Sequence, residues 1–266
     1  LGDVYKRQVD ILATMDCMRA LGAKIDFDGD KAVIEGIKDI PESAVLDCCE
    51  SGSTLRFLIP VACALGVDTK FIGRGRLPQR PITPYLEEFP KHGVSFEYNN
   101  TMPFSTNGKL TGGKFYVDGG ISSQFITGLL FALPLLEEDS EIILTSHLES
   151  KPYVDITLGT LREHGCQVEE TENGYFVKGG QHYMPFSGRV EGDYSQAAFF
   201  KVANSLGSDI DIAGLSEKSF QGDKKIVEIC EKIVYNKNGG LRPFDLDCSD
   251  IPDLVPVLTV PVSYTH

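Results

Sequence analysis

The sequence predicts an α/β protein built from a repeated unit of about 70 residues, because three separate markers recur in register along the chain. Gly22, Gly93 and Gly165 each close a helix-patterned stretch, 71 and 72 residues apart. Ser53, Ser123 and Ser195 each open an apolar helix-patterned stretch, 70 and 72 apart. Ile72, Ile143 and Ile212 each centre a short β-branched strand, 71 and 69 apart.

The elements follow in order. Met15–Gly22, Leu86–Gly93 and Leu158–Gly165 read as amphipathic helices stopped by glycine, which suits the left-handed residue that closes a helix. Residues after each stop alternate apolar and polar, as in Ala23–Phe27, Val94–Tyr98 and Cys166–Glu170, and predict a strand pair. A Ser-led helix and one further strand complete the unit. Alternating strands and helices imply layered α/β packing, and one unit alone buries too little to stand by itself. A fourth unit is expected to begin near Lys224. A domain boundary is expected near residues 186–190.

Composition narrows the class of function. Apolar residues make up 42% and charged residues 24%, which is ordinary for a water-soluble globular chain. The net charge of −13 speaks against a general nucleic-acid binder, though a local cationic pocket can still take a small anion. The seven cysteines are odd in number and form no CxxC pair, so a reducing, cytoplasmic setting with buried thiols is expected. Apolar runs such as Leu129–Leu136 are too short to span a bilayer. Leu1–Gln8 and Val262–His266 resemble translated adapter remnants, so both ends are expected to be non-native tails.

The Ser-led helices point to anion binding. A helix N-terminus offers free N–H groups and a partial positive charge, and small residues let an anion approach. The starts read Glu50-Ser-Gly-Ser-Thr, Gly120-Ile-Ser-Ser-Gln and Gly192-Asp-Tyr-Ser-Gln. Serine also serves as an ordinary N-cap, so one such start decides nothing. The loops after the strands add cations: Arg74, Arg76 and Arg80 follow Ile72, Lys151 follows Ile143, and Arg56 lies one turn into the first Ser-led helix. Arginine forks match phosphate and carboxylate oxygens. The five histidines show no ligand spacing, and no Walker A, GxGxxG or GxSxG motif occurs. No metal and no cofactor are expected.

At these residues, from Val9 to Pro261, the chain resembles the EPSP synthase family of enolpyruvyl transferases. The resemblance is carried by Glu50-Ser-Gly-Ser-Thr-Leu-Arg-Phe, Arg76-Leu-Pro-Gln-Arg-Pro-Ile, Asp118-Gly-Gly-Ile-Ser-Ser-Gln-Phe, Ser150-Lys-Pro-Tyr-Val-Asp-Ile-Thr, Val190-Glu-Gly-Asp-Tyr-Ser and Asp250-Ile-Pro-Asp-Leu. It implies two domains forming an inside-out α/β barrel of repeated units, the fold shared with RNA 3′-phosphate-processing enzymes. On that scheme residues 9–188 form most of the first domain and 189–261 part of a truncated second. It implies transfer of the enolpyruvyl group of phosphoenolpyruvate to the 5-hydroxyl of shikimate 3-phosphate, with release of phosphate. By the same resemblance Ser122, Ser123, Gln124, Ser150 and Tyr153 hold shikimate 3-phosphate. Gly52, Arg76 and Gln124 contact phosphoenolpyruvate, with Arg56, Arg80 and Lys151 as further candidates. Asp253 matches the acceptor of the attacking hydroxyl's proton and a substrate contact, although an Asp after Ile251-Pro252 also suits a helix cap.

The family's Lys-Ser and Arg before the first helix, and its later acid, arginines and lysine, have no counterpart here, so an inactive fragment is expected. Glu50 departs from the Asn or Gly of some members, beside the ligand contacts. A monomer with small-molecule substrates, no nucleic acid and no membrane partner is expected. The sister transferase acting on UDP-N-acetylglucosamine is the alternative, and Ser-Ser-Gln with Ser-Lys-Pro-Tyr disfavours it. A non-catalytic anion-binding repeat protein is the alternative of another class.

Overall fold

The computed structural model describes residues 9–239 and 245–264. Residues 1–8 and 265–266, which belong to the two expected tails, lie outside them. The chain forms two compact units, Leu1–His147 with Gly165–Tyr183, and Leu148–His164 with Met184–His266.

The first unit contains helix α1 (Val9–Ala20), the antiparallel pair β1 (Lys24–Phe27) and β2 (Ala32–Glu35), and two sheets of the same design. In one sheet β3 (Ser43–Asp47) runs parallel to β4 (Asp68–Ile72) across helix α2 (Gly52–Leu65). After helix α3 (Thr83–Glu88), the hairpin β5 (Ser95–Glu97) and β6 (Phe104–Asn107) joins β4 antiparallel, giving the order β3-β4-β6-β5. The other sheet repeats this with β7 (Gly113–Val117), helix α4 (Ser123–Ala132), β8 (Ser140–Leu144), β9 (Val168–Thr171) and β10 (Gly174–Val177), in the order β7-β8-β10-β9. Parallel strands require a crossover, and the Ser-led helix supplies it.

The mixed α/β repeat expected from the sequence is present, with two refinements. The strand before each Ser-led helix, β3 and β7, belongs to the unit and escaped the sequence reading. The sheets have two, four and four strands and none closes on itself, so no barrel is complete among the described residues.

The three glycine stops adopt the conformation their position demands, with φ of 104° at Gly22, 88° at Gly93 and 79° at Gly165. This is the left-handed region where a Cβ is penalised.

The core of the first unit lies between α2 and α4. Both helices are apolar nearly all round, with Leu55, Ile59, Ala62, Phe125, Ile126 and Leu130 almost fully buried. Pro60 lies inside α2 and has no N–H to give the carbonyl four residues back, that of Arg56. The buried Tyr85 of α3 fills that place: its hydroxyl lies 2.7 Å from the Arg56 carbonyl and 3.1 Å from that of Phe125 in α4. One phenol therefore ties three helices at the point where α2 lacks a bond.

The second unit, as described, is helical. It contains α5 (Lys151–Glu163), α6 (Tyr194–Ser205), α7 (Ile226–Gly239) and α8 (Val255–Tyr264). Tyr194, Ala198, Val202, Ile226, Ile229, Ile251, Leu254 and Val257 form its core. Helix α8 extends into the stretch 262–266 read as a tail. The strand expected around Ile212 is not formed. Its counterparts β4 and β8 each pair in parallel with a strand before the preceding helix, and residues 181–193 have no regular structure, so the ladder has no partner.

Candidate active-site residues

In the first unit, two helix starts and an arginine loop converge. The caps are the residues just before the helices: Ser51 Oγ accepts from Thr54 N at 3.2 Å, and Ser122 Oγ accepts from Gln124 N at 3.3 Å. In the third repeat the cap is Asp193, which accepts from Ser195 N at 2.8 Å. Ser53, Ser123 and Ser195 thus sit in the first helical turns, and Ser122 is the member of the Ser-Ser pair committed to capping. The remaining N–H groups of these turns are the ones an anion could use.

Arg56 joins the two starts. Its Nη1 donates to Gln124 Oε1 at 2.9 Å, its Nη2 donates to the Pro81 carbonyl at 3.2 Å, and its guanidinium lies 4.7 Å from the Phe125 ring centroid. The side chain is buried, and Nε has no partner among the described residues. Burial and then the nearby Arg80 guanidinium pull its pKa below the usual arginine range. No ion pair among the described residues neutralises Arg56 or Arg80. Two guanidinium groups are thus held together without a carboxylate, inside a chain of net charge −13. The cost falls on the buried Arg56, whose charge an anion would offset, while Arg80 is solvent-exposed.

The structure places the loop arginines differently. Arg80 lies against Gly52, so closely that a Cβ there would run into its Nη1. Arg76 directly precedes a 3₁₀ turn (Leu77–Gln79) and, like Arg80, is exposed, and Arg74 Nη2 lies 2.9 Å from Cys49 Sγ. Glycine at 52 is therefore what lets Arg80 reach the start of α2. Gly52→Ala is expected to displace Arg80 and weaken binding of a phosphate or carboxylate ligand about tenfold, roughly 1.4 kcal/mol, as read by calorimetric titration. Unchanged affinity would remove Arg80 from the site.

In the second unit, Ser150 precedes α5 in the left-handed region (φ 58°) and its side chain makes no cap bond. Lys151 Nζ pairs with Asp155 at 2.5 Å. Tyr153 Oη donates to Asp253 Oδ2 at 2.8 Å and lies 3.4 Å from Asp223 Oδ2. Asp253 occupies a 3₁₀ turn (Pro252–Leu254) that has no side-chain cap, so its carboxylate is engaged by Tyr153 and not by the helix start. Burial, then the hydrogen bond to Asp253, pushes the Tyr153 hydroxyl well above the usual tyrosine range, so it stays a donor. Asp223, 5% exposed, is pushed up to about 6 by burial and then by the charges of Asp253 and Asp193.

The sequence reading missed Asp223 and Tyr85. Asp223 stands in Gln-Gly-Asp-Lys-Lys, which matches no marker of the repeat and comes just before the expected start of the fourth unit. An aspartate following a glycine just before a helix was the available signal. Among the described residues, no group of three or more His, Cys, Asp or Glu side chains is placed to hold a metal ion. No helix among them is long and apolar enough to cross a membrane.

Residues 5–263 match the family profile described as EPSP synthase (3-phosphoshikimate 1-carboxyvinyltransferase). A 3-phosphoshikimate 1-carboxyvinyltransferase of Clostridium perfringens strain ATCC 13124 is 44% identical over 266 residues, covering 94% of this chain and 63% of that protein. The one from Clostridioides difficile strain 630 is 42% identical over 277 residues, covering 96% and 63%. The chain thus spans somewhat less than two thirds of the length of these relatives. The EPSP synthase structure from Acinetobacter baumannii superposes with a TM-score of 0.68 at 22% identity, over 84% of this chain and 51% of that one, which is a likeness of fold.

Proposed function

Since the chain belongs to the EPSP synthase family, we propose that it serves the transfer of an enolpyruvyl group from phosphoenolpyruvate to the 5-hydroxyl of shikimate 3-phosphate, with release of phosphate. The observation that carries this reading is the pair of unneutralised guanidinium groups, Arg56 and Arg80, at the starts of two helices. Both substrates are anionic, and such a site favours each of them.

The residue roles proposed are those the family resemblance implies, adjusted to where the side chains lie. In the first unit Ser122, Ser123 and Gln124 hold the phosphate and hydroxyls of shikimate 3-phosphate. Gly52, Arg80 and Gln124 engage phosphoenolpyruvate, with Arg56 orienting Gln124 and Arg76 as an outlying cation. In the second unit Ser150 and Tyr153 are contacts for shikimate 3-phosphate, with Lys151 beside them. Asp253 accepts the proton of the attacking hydroxyl, a role open to a carboxylate that reaches that oxygen. As that O–H bond breaks, the oxygen attacks C2 of phosphoenolpyruvate and C3 takes a proton. Collapse of the adduct then removes a proton from C3 as the C2–O bond to phosphate breaks, which restores the double bond of the enolpyruvyl group and expels phosphate, whose charge cationic groups favour. We further propose that 9–188 and 189–261 belong to successive domains, and that the chain is a cytoplasmic monomer.

Calorimetric titration of the chain tests the reading. Shikimate 3-phosphate is expected to bind, and to bind more tightly with phosphoenolpyruvate present. Preference for UDP-N-acetylglucosamine would move the chain to the sister transferases, and binding of none of the three would leave a non-catalytic repeat protein.

A further inference from the structure

Asp223 is a buried carboxyl outside the roles given above, and three parts of the second unit converge on it. The 3₁₀ turn that carries it (Gly222–Lys225) comes close only because residue 222 is glycine: a Cβ there would lie 2.8 Å from Pro152 Cβ at the start of α5 and 2.9 Å from the Asp250 carbonyl. That close approach sets Asp223 Oδ2 3.4 Å from the Tyr153 hydroxyl, which lies 2.8 Å from Asp253. Asp223 Oδ1 is buried and has no partner among the described residues. The charged and titratable groups acting on Asp223 are Tyr153 from α5, Asp193 from the cap of α6 and Asp253 from the turn before α8. On its own turn, Lys224 Nζ donates to the Glu217 carbonyl, and Lys225 acts on Asp247.

A tyrosine hydroxyl has one proton and two lone pairs. It can pass a proton from one carboxyl to another without changing its own state, by accepting from one side and donating to the other. Tyr153 lies within reach of two carboxylates and suits that exchange. The partnerless, water-poor oxygen of Asp223 favours the neutral carboxyl, because an ionised oxygen buried without a donor is costly. Its value of about 6 lets it take a proton near neutrality.

We propose that Asp223 is a positioning residue that shares a proton with Asp253 through the Tyr153 hydroxyl, taking up the proton Asp253 receives and returning Asp253 to its accepting state. The steps balance. The substrate O–H bond breaks and an O–H bond forms on Asp253. Asp253 then gives that proton to Tyr153 Oη as Tyr153 gives its own to Asp223 Oδ2. One proton has moved from substrate to Asp223, and Tyr153 is unchanged. The proposal rests on the reading of Asp253 as proton acceptor.

The test follows the carboxyl carbon of Asp223 by NMR against pH in the chain, in Asp253→Asn and in Tyr153→Phe. Asp253 is exposed, so its replacement by Asn spares the core. Loss of the Asp253 charge is expected to lower the Asp223 midpoint by about half a pH unit or more, and Tyr153→Phe to raise it by removing its donor. One midpoint shared by all three proteins would overturn the proposal, because carboxyls that exchange a proton through Tyr153 must titrate as a coupled pair. Calorimetric titration of shikimate 3-phosphate separates the two readings. Binding with independent carboxyls defeats the shared proton alone, whereas coupled carboxyls without binding defeat the assigned substrate and leave the shared proton standing.

Discussion

Arg56→Met is expected to weaken binding of shikimate 3-phosphate or phosphoenolpyruvate about 100-fold, roughly 2.7 kcal/mol, while leaving thermal stability nearly unchanged. The two effects separate because the guanidinium does two things of opposite sign. It is buried, and burial alone makes its charge expensive, as the depressed pKa records. Methionine has similar length and keeps the contact with the Phe125 ring, so the core loses little volume. The carbonyl of Pro81 and Oε1 of Gln124 lose a donor, which costs about 1–3 kcal/mol, and relief of the buried charge offsets much of that. Binding has no such compensation. The anion loses a charge acting in a poorly solvated site, and Gln124 loses the bond that aims its amide. Arg56→Lys is expected to recover little, since an ammonium cannot reach Gln124 and Pro81 with a planar fork. Calorimetric titration with a melting curve on the same sample checks both halves. A large drop in melting temperature with intact affinity would make Arg56 a structural residue only.

Gly128→Ala is expected to destabilise the first unit by about 3 kcal/mol. Gly128 lies where α4 crosses α2, and a Cβ there would run into the Arg56 carbonyl and the Tyr85 hydroxyl, with Pro60 Cγ at 3.0 Å. None of these can step aside cheaply. The carbonyl is backbone. The hydroxyl is held by its bonds to Arg56 and Phe125, and the proline ring is fixed within α2. The two helices must separate, which opens space along a core of Leu55, Ile59, Phe125 and Leu130, whose side chains then lose contacts. Urea unfolding followed by far-UV circular dichroism reads the change. A shift below about 0.5 kcal/mol would show that the crossing is loose.

The helix stops were legible because a left-handed residue at a helix end has one strongly preferred amino acid, and Gly22, Gly93 and Gly165 supply it. The Ser-led helices were legible within a residue or two, since capping chemistry recurs at Ser51, Ser122 and Asp193. Strands β3 and β7 were not. Each is five residues long, β3 has Leu46 as its single buried residue, and their pairing is parallel and non-local, so periodicity gives little warning. Ile212 failed for the reverse reason: it has strand-like composition and no partner strand to pair with. At the candidate site, residue types were legible and their ranking was not. That Arg80 and not Arg76 meets Gly52 depends on the path of a loop through a 3₁₀ turn. That Asp223 joins Tyr153 depends on elements 70 residues apart.

Pro60 has a bearing on how the chain acquires its shape. A helix normally completes its bonds from its own backbone, so it can form before its neighbours arrive. Helix α2 cannot, because the carbonyl of Arg56 waits for a hydroxyl encoded 29 residues later, and that hydroxyl also bonds the main chain of α4. Order in the first turns of α2 and α4 is therefore gained or lost as a whole. A molecule with one repeat in place and the other open has an orphaned carbonyl in an apolar core, a state with little claim to a lasting population. The two halves of the first unit are in this sense obligate partners, although each carries the same local pattern.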